Sequence, residues 1–202
     1  MRNQTKRFRS AGDALPRAPV ATLRIRRATV RDVPDILSLI RGLAAYEKLA
    51  HEVRATARRI ERDGFGRGRR FRVLLAIRGK ARRRSGRARA RGPRTAQPRG
   101  SNNVVGFALY FFTYSTFVAR RTLFLEDIYV LPEERQRGAG KMLLRALAAL
   151  AVRAGCGRME WLVLADNTPA IRFYERLGAK LQTNWLPARL SGIPLRKLAR
   201  GR

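Results

Sequence analysis

Hydrophobic positions along this chain change period several times, and each change marks an element. Thr22–Ala28 alternates Leu23 and Ile25 with Arg24 and Arg26, the two-residue period of a short strand. Val33, Ile36, Leu37, Ile40 and Leu43 follow at helical spacing as far as Tyr46-Glu47. Thr29 is placed to cap that helix, with Asp32 in the capping-box position. A second helix is predicted over Thr56–Asp63, stopped by Gly64-Phe65-Gly66. Phe71–Ile77 reads as a buried strand and Val104–Thr113, rich in β-branched and aromatic residues, as the next. Thr122–Val130 pairs with it as a hairpin through Tyr114–Arg121. Simple alternation puts Leu123, Leu125, Asp127 and Tyr129 on one face of that strand and Phe124, Glu126, Ile128 and Val130 on the other.

The second half repeats a strand–helix–strand rhythm. A helix over Gly138–Ala154 carries Leu143, Leu144, Leu147 and Leu150 on one stripe and ends in Gly155, and Met159–Leu164 is a strand. Thr168 caps a helix with Pro169 in its first turn and Leu177-Gly178 at its close, and Ala179–Trp185 is a last strand. Leu186–Arg202 has little pattern, with Pro187 and Pro194 interrupting it. The order β-α-α-β-β-β-α-β-α-β predicts an α/β fold: a mixed central sheet with helices on both faces, antiparallel at the middle hairpin and parallel in the second half.

Composition sets bounds on this picture. At 202 residues, 45% of them hydrophobic, the chain suits one globular domain over 22–192 with appendages. No apolar run reaches the roughly 20 residues of a membrane span, and the basic start has no apolar core of a secretory signal. A single cysteine, Cys156, predicts neither an internal disulfide nor a metal site, and the chain reads as cytoplasmic. The net charge of +31 is unevenly placed. Met1–Ala21 holds five Lys/Arg against one acid, and Arg78–Arg99 holds ten against none. Residues 1–21 and the loop 79–102 are expected to be disordered, and 193–202 to be a short basic tail. Such charge favours nonspecific contact with nucleic acid; Arg-rich codon usage accounts for the same balance without any function.

The chemistry gathers around LFLEDIYVLPEERQRGAGKMLL, residues 123–144. Leu131-Pro132-Glu133-Glu134 breaks the strand, and Arg135-Gln136-Arg137-Gly138-Ala139-Gly140 leads straight into a helix. A Gly-rich turn opening a helix presents free N–H groups and the positive end of the helix dipole to an anion. The strand before the turn supplies two carboxylates, Glu126 and Asp127. A second motif, Asn167-Thr168-Pro169-Ala170-Ile171-Arg172-Phe173-Tyr174-Glu175-Arg176-Leu177-Gly178-Ala179, follows about thirty residues on.

The hexapeptide resembles the [QR]-x-x-G-x-[GA] signature of Gcn5-related N-acetyltransferases (GNAT), and the second motif resembles that family's N-x-x-A-x-x-F-Y-x-x-x-G-[FA] segment. DILSLIRGLAAYEKL, RIERDGFG, VVGFALYFFTYSTF and FLEDIYVLPEERQRGAGKML bring the chain closest to the diamine (spermidine/spermine, thialysine) acetyltransferase branch. The resemblance implies acetyl-CoA as donor, no metal, and transfer to a primary amine within a ternary complex. It implies Glu126 as general base, Tyr174 as general acid at the thiolate, and Asn167 with main-chain groups of Ile128 and Val130 on the pantetheine arm. Arg135, Gln136, Arg137, Gly138, Ala139, Gly140 and Lys141 would hold the pyrophosphate. Tyr46, Glu47, Glu126, Asp127 and Trp185 would line the acceptor site, with Glu52 a further contact, and a homodimer is expected. Two departures, Ser115 and Thr183-Asn184 where the polyamine enzymes carry acids, leave the acceptor open among a polyamine, a smaller diamine and a thialysine-like amino acid. A basic nucleic-acid- or ribosome-associated protein using the same scaffold is the alternative.

Overall fold

The structure, a computed structural model, describes residues 22–79 and 103–201. The basic extension over 1–21 and the basic loop from residue 80 to 102 lie outside the described residues. The described chain divides into two compact units between Trp161 and Leu162. No helix of the described residues is long and apolar enough to cross a membrane.

The first unit holds strands β1 (Leu23–Arg27), β2 (Arg72–Arg78), β3 (Val104–Ser115), β4 (Arg120–Val130) and β5 (Arg158–Trp161), and helices α1 (Val33–Tyr46), α2 (Ala57–Phe65) and α3 (Ala139–Arg153). The strands lie in the order β1-β2-β3-β4-β5. The first four are antiparallel and β5 joins β4 in parallel. One face is covered by α1 and α2, whose Val33, Ile36, Leu39 and Ile60 pack with Val73, Leu75, Ile77, Phe107, Leu109 and Tyr129. Strand alternation sends Leu74, Ala76, Ala108, Tyr110, Leu123 and Leu125 to the opposite face, all buried. There α3 supplies Leu143, Leu144, Leu147 and Ala151.

Local chemistry explains the element ends. Asp32, 2% exposed, accepts from the Thr29 N–H at 2.7 Å and from its hydroxyl at 2.9 Å, so the expected reciprocal cap forms. The same carboxylate takes both Arg26 Nη atoms, at 2.7 and 2.6 Å, which clamps β1 to the start of α1. Thr56 Oγ1 accepts from the Arg59 N–H at 3.3 Å to open α2. That helix runs on through Gly64 to Phe65 rather than stopping at Asp63. A Cβ on Gly64 would lie 2.6 Å from the Phe71 ring, so the glycine makes room for an aromatic neighbour instead of ending the helix. The β3–β4 hairpin is tighter than predicted: Ser115 Oγ accepts from the Val118 N–H at 3.4 Å, and Ala119 turns at φ 53°.

The second unit contains α4 (Thr168–Glu175) and α5 (Gly192–Ala199). Here two expectations fail. Ala179–Trp185 forms no strand, and Leu181 and Trp185 stay exposed. An alternating sequence becomes a strand only where another edge pairs with it. The tail is helical from Gly192 to Ala199, because Pro194 falls in the first turn, where its missing N–H has no helical partner to lose. The observed order is thus β-α-α-β-β-β-α-β-α-α. The cap of α4 is Asn167 rather than Thr168: its Oδ1 accepts from the Ala170 N–H at 3.3 Å.

Candidate active site

The register of β3 and β4 slips by one residue at the acidic pair. Tyr110 lies opposite Leu125 and Leu109 opposite Asp127, so Glu126 is an extra residue in β4. Such a bulge resets the alternation. Leu123 and Leu125 face α3, whereas Asp127 and Tyr129 face α1 with Leu109 and Phe107. This corrects the predicted faces. Glu126 lines an open cavity of about 460 Å³ with Arg70, Phe71, Leu109 and Phe111. The two carboxylates therefore share one side of the sheet instead of pointing apart. Glu126 is exposed and Asp127 half-buried. Burial, then the charges of Glu126 and Glu47, push the Asp127 carboxyl up from its ordinary 3.8 to about 6.

Glu47 is the C-cap of α1, and its own carboxyl is raised by burial. Lys48 behind it turns at φ 61°, and Leu49 N–H closes on the Ala44 carbonyl at 2.7 Å. This hook brings Glu47 within electrostatic reach of Asp127. Tyr46, one residue earlier, lies exposed beneath the guanidinium of Arg135, 4.3 Å from the ring centre, and the Tyr129 ring is 5.6 Å from the same guanidinium. Glu52 instead stands in solvent beside His51, at 3.5 Å. Ser115 is spent on the hairpin turn.

On the other edge of β4, β5 pairs only with Thr122–Leu125. β5 ends at Trp161, opposite Leu125, just where the bulge begins. Leu131 N–H donates to the Val105 carbonyl at 2.9 Å, so alternation turns the N–H and C=O groups of Ile128 and Val130 away from β3, toward the edge of β4 that β5 leaves unpaired. The Val130 carbonyl accepts from Arg135 Nε at 3.1 Å. In the loop that follows, Gln136 and Gly138 adopt φ 59° and 88°. Gly138 is the N-cap of α3, with open space where a Cβ would stand, and Gln136, Arg137 and Lys141 are exposed around it. Arg137 Nη1 is 3.6 Å from Glu134, which also pairs with Arg78.

In the second unit, Tyr174 is 7% exposed and its ring lies 5.5 Å from that of Phe173. Trp185 is 69% exposed.

Residues 79–179 match the Acetyltransferase (GNAT) family. The chain is 37% identical over 183 residues to the mouse thialysine N-epsilon-acetyltransferase, covering 89% of this chain and 99% of that protein. The chain belongs to the GNAT family of N-acetyltransferases. A second GNAT relative, the human spermidine/spermine N(1)-acetyltransferase-like protein 1, is 34% identical over 155 residues, 77% of this chain and 20% of that protein. The fold agrees with a solved integron cassette protein from the mobile metagenome of Vibrio cholerae, with TM-score 0.66 and 21% identity over 88% of this chain and 98% of the other.

GNAT membership makes acetyl-CoA the donor, and the residues present suit it. The open turn at Gly138 and the α3 N-terminus fit an anionic pyrophosphate. The unpaired main chain of β4 fits a linear arm of alternating amides. The structure brings Tyr46, Glu47, Glu126, Asp127 and Arg135 together on the first unit. Arg70, Phe71 and Phe111, which line the cavity with Glu126, and the buried Tyr129 near Arg135 were not foreseen. Their signal was hidden by the extra residue in β4, which alternation alone does not reveal.

Proposed function

We propose that this GNAT enzyme acetylates a primary amine of a small cationic molecule, a diamine, polyamine or thialysine-like amino acid. The observation that carries the reading is the bulge at Glu126, which places Glu126 and Asp127 on the same face as Glu47 and Tyr46. An amine acceptor is held at neutral pH as an ammonium and must lose a proton before it can attack. Glu126, exposed on the cavity wall, is the general base that takes it. Asp127, half-buried beside Glu126 with its carboxyl raised to about 6, shares that proton. Glu47 and the Tyr46 ring hold the acceptor's second cationic group, with Trp185 a further contact.

Acetyl-CoA supplies the acetyl group when bound. Ile128, Val130 and Asn167 hold its arm, and the turn Arg135–Gly140 with Lys141 holds its phosphates. Tyr174 Oη gives its proton to the departing sulfur. The thialysine and polyamine names of the relatives support the acceptor class. Exposed apolar side chains in the tail, Trp185 and Leu186 among them at 69% and 89%, support a homodimer that covers them.

The test is free-thiol release from acetyl-CoA with spermidine, a short diamine, thialysine and lysine as acceptors. Turnover with at least one amine is expected, falling about 100-fold or more in Glu126→Gln and in Tyr174→Phe. Equal rates in Glu126→Gln and wild type at pH 7 would remove Glu126 from its role.

A further inference from the structure

Arg135 touches both halves of the site at once. Its guanidinium covers Tyr46 at 4.3 Å and approaches Tyr129 at 5.6 Å, while its Nε holds the Val130 carbonyl at 3.1 Å. The acid beside it, Glu134, is engaged by Arg78 and Arg137. Among the described residues no carboxylate forms an ion pair with Arg135. This guanidinium, lying on the ring of Tyr46, the residue that precedes Glu47 in the chain, stands where the second cation of an acceptor would stand. Its other anchor, the Val130 carbonyl, lies on the edge of β4 that β5 leaves unpaired.

We propose that Arg135 is a built-in stand-in for the acceptor's second ammonium, and that occupation of the Val130 carbonyl by the donor releases it, opening the acceptor subsite. The inference rests on the reading that Tyr46 and Glu47 line that subsite. Two effects act in the same direction. Losing the Val130 carbonyl removes one of the two anchors that hold the guanidinium over Tyr46. Phosphates at the turn Arg135–Gly140 attract the freed cation toward the α3 N-terminus. Donor binding then strengthens acceptor binding, whichever ligand arrives first. Linkage makes the coupling reciprocal, so the amine tightens donor binding by the same factor. A cation–π contact at a partly exposed site sets that factor at about 2- to 30-fold.

The experiment is calorimetric titration of the full chain with spermidine and, separately, thialysine, with and without saturating coenzyme A, which carries no acetyl group to transfer. Wild type is expected to bind amine about 2- to 30-fold more tightly when loaded with coenzyme A. Arg135→Met should bind amine without coenzyme A as tightly as loaded wild type does. Arg135→Lys, which keeps the cation, should keep the weak binding of the unloaded state. Equal affinity in loaded and unloaded wild type overturns the inference, as does unchanged unloaded affinity in Arg135→Met. Acetylation assays on the same preparation separate the two readings. If amines are acetylated yet bind both states alike, the role of Arg135 fails alone. If neither amine binds or reacts, the acceptor assignment fails and takes this inference with it.

Discussion

At neutral pH the folded chain holds an ionised Asp127 against burial and against two neighbouring carboxylates. Raising this carboxyl from 3.8 to about 6 corresponds, at 1.36 kcal/mol per pH unit, to roughly 3 kcal/mol of destabilisation. The folded value lies above the unfolded one. Below about pH 3 both states are largely protonated and the cost is absent; it grows as pH rises through the unfolded value and is nearly complete above about 6. Asp127→Asn removes the charge and keeps the shape. Its stability should therefore lie within about 1 kcal/mol of wild type near pH 4 and exceed it by up to about 3 kcal/mol at pH 8, a rise of about 6–12 °C in melting midpoint for a chain of this size. Thermal and urea unfolding, followed by circular dichroism from pH 4 to 8, would read the difference. The same variant should lose turnover, because the charge disfavoured by the fold is the one the amine's proton requires. A stability gap that stays constant with pH, or an Asn variant weaker than wild type at pH 8, would show that Asp127 is satisfied where it stands, and the argument for a shared proton would fall.

Three further outcomes follow from the packing around this site. Arg26→Met leaves the Asp32 carboxylate without its bidentate partner and should cost about 3–5 kcal/mol at pH 7. Since Arg26 chiefly holds Asp32 down at about 2, the gap should close as pH falls from about 4 through 2, measured by urea unfolding. Gly42→Ala would set a Cβ 2.9 Å from Tyr129 Cε1, so the ring must move from beside Arg135. A net loss of about 1–2 kcal/mol is expected despite the better helix former, and a stabilised variant would refute the tight contact. Lys48→Gly relieves a left-handed residue and should raise stability by up to about 1 kcal/mol, read as a higher melting midpoint.

Much of the framework was legible because it depends on near neighbours. The helical stripe of α3 and the reciprocal cap of Thr29 and Asp32 are short-range patterns, and the Gly138 turn declares its own conformation. The GNAT motifs carry their context in a few residues. What failed to show depends on partners distant in the chain. The bulge exists because β3 and β4 fall out of register, a property of two strands and not of LFLEDIYV. The predicted strand Ala179–Trp185 had the right alternation but pairs with no strand. Gly64 looked like a stop until Phe71, seven residues on, proved to need its space. The stacking of Arg135 on Tyr46 joins residues almost ninety positions apart, and in a chain so rich in arginine nothing marks that one.

The end of β5 opposite Leu125 has an evolutionary consequence. Past Leu125 one side of β4 offers peptide groups with no strand against them, and peptide groups are identical whatever side chain accompanies them. A grip made this way is nearly blind to substitution at Ile128 or Val130, provided the strand keeps its path. Drift at those positions can retune packing against the helices without disturbing what the backbone holds. Selection falls instead on whatever keeps that edge of β4 open, and a single deletion at Glu126, by restoring the register, would do more harm than many exchanges along the rest of the strand.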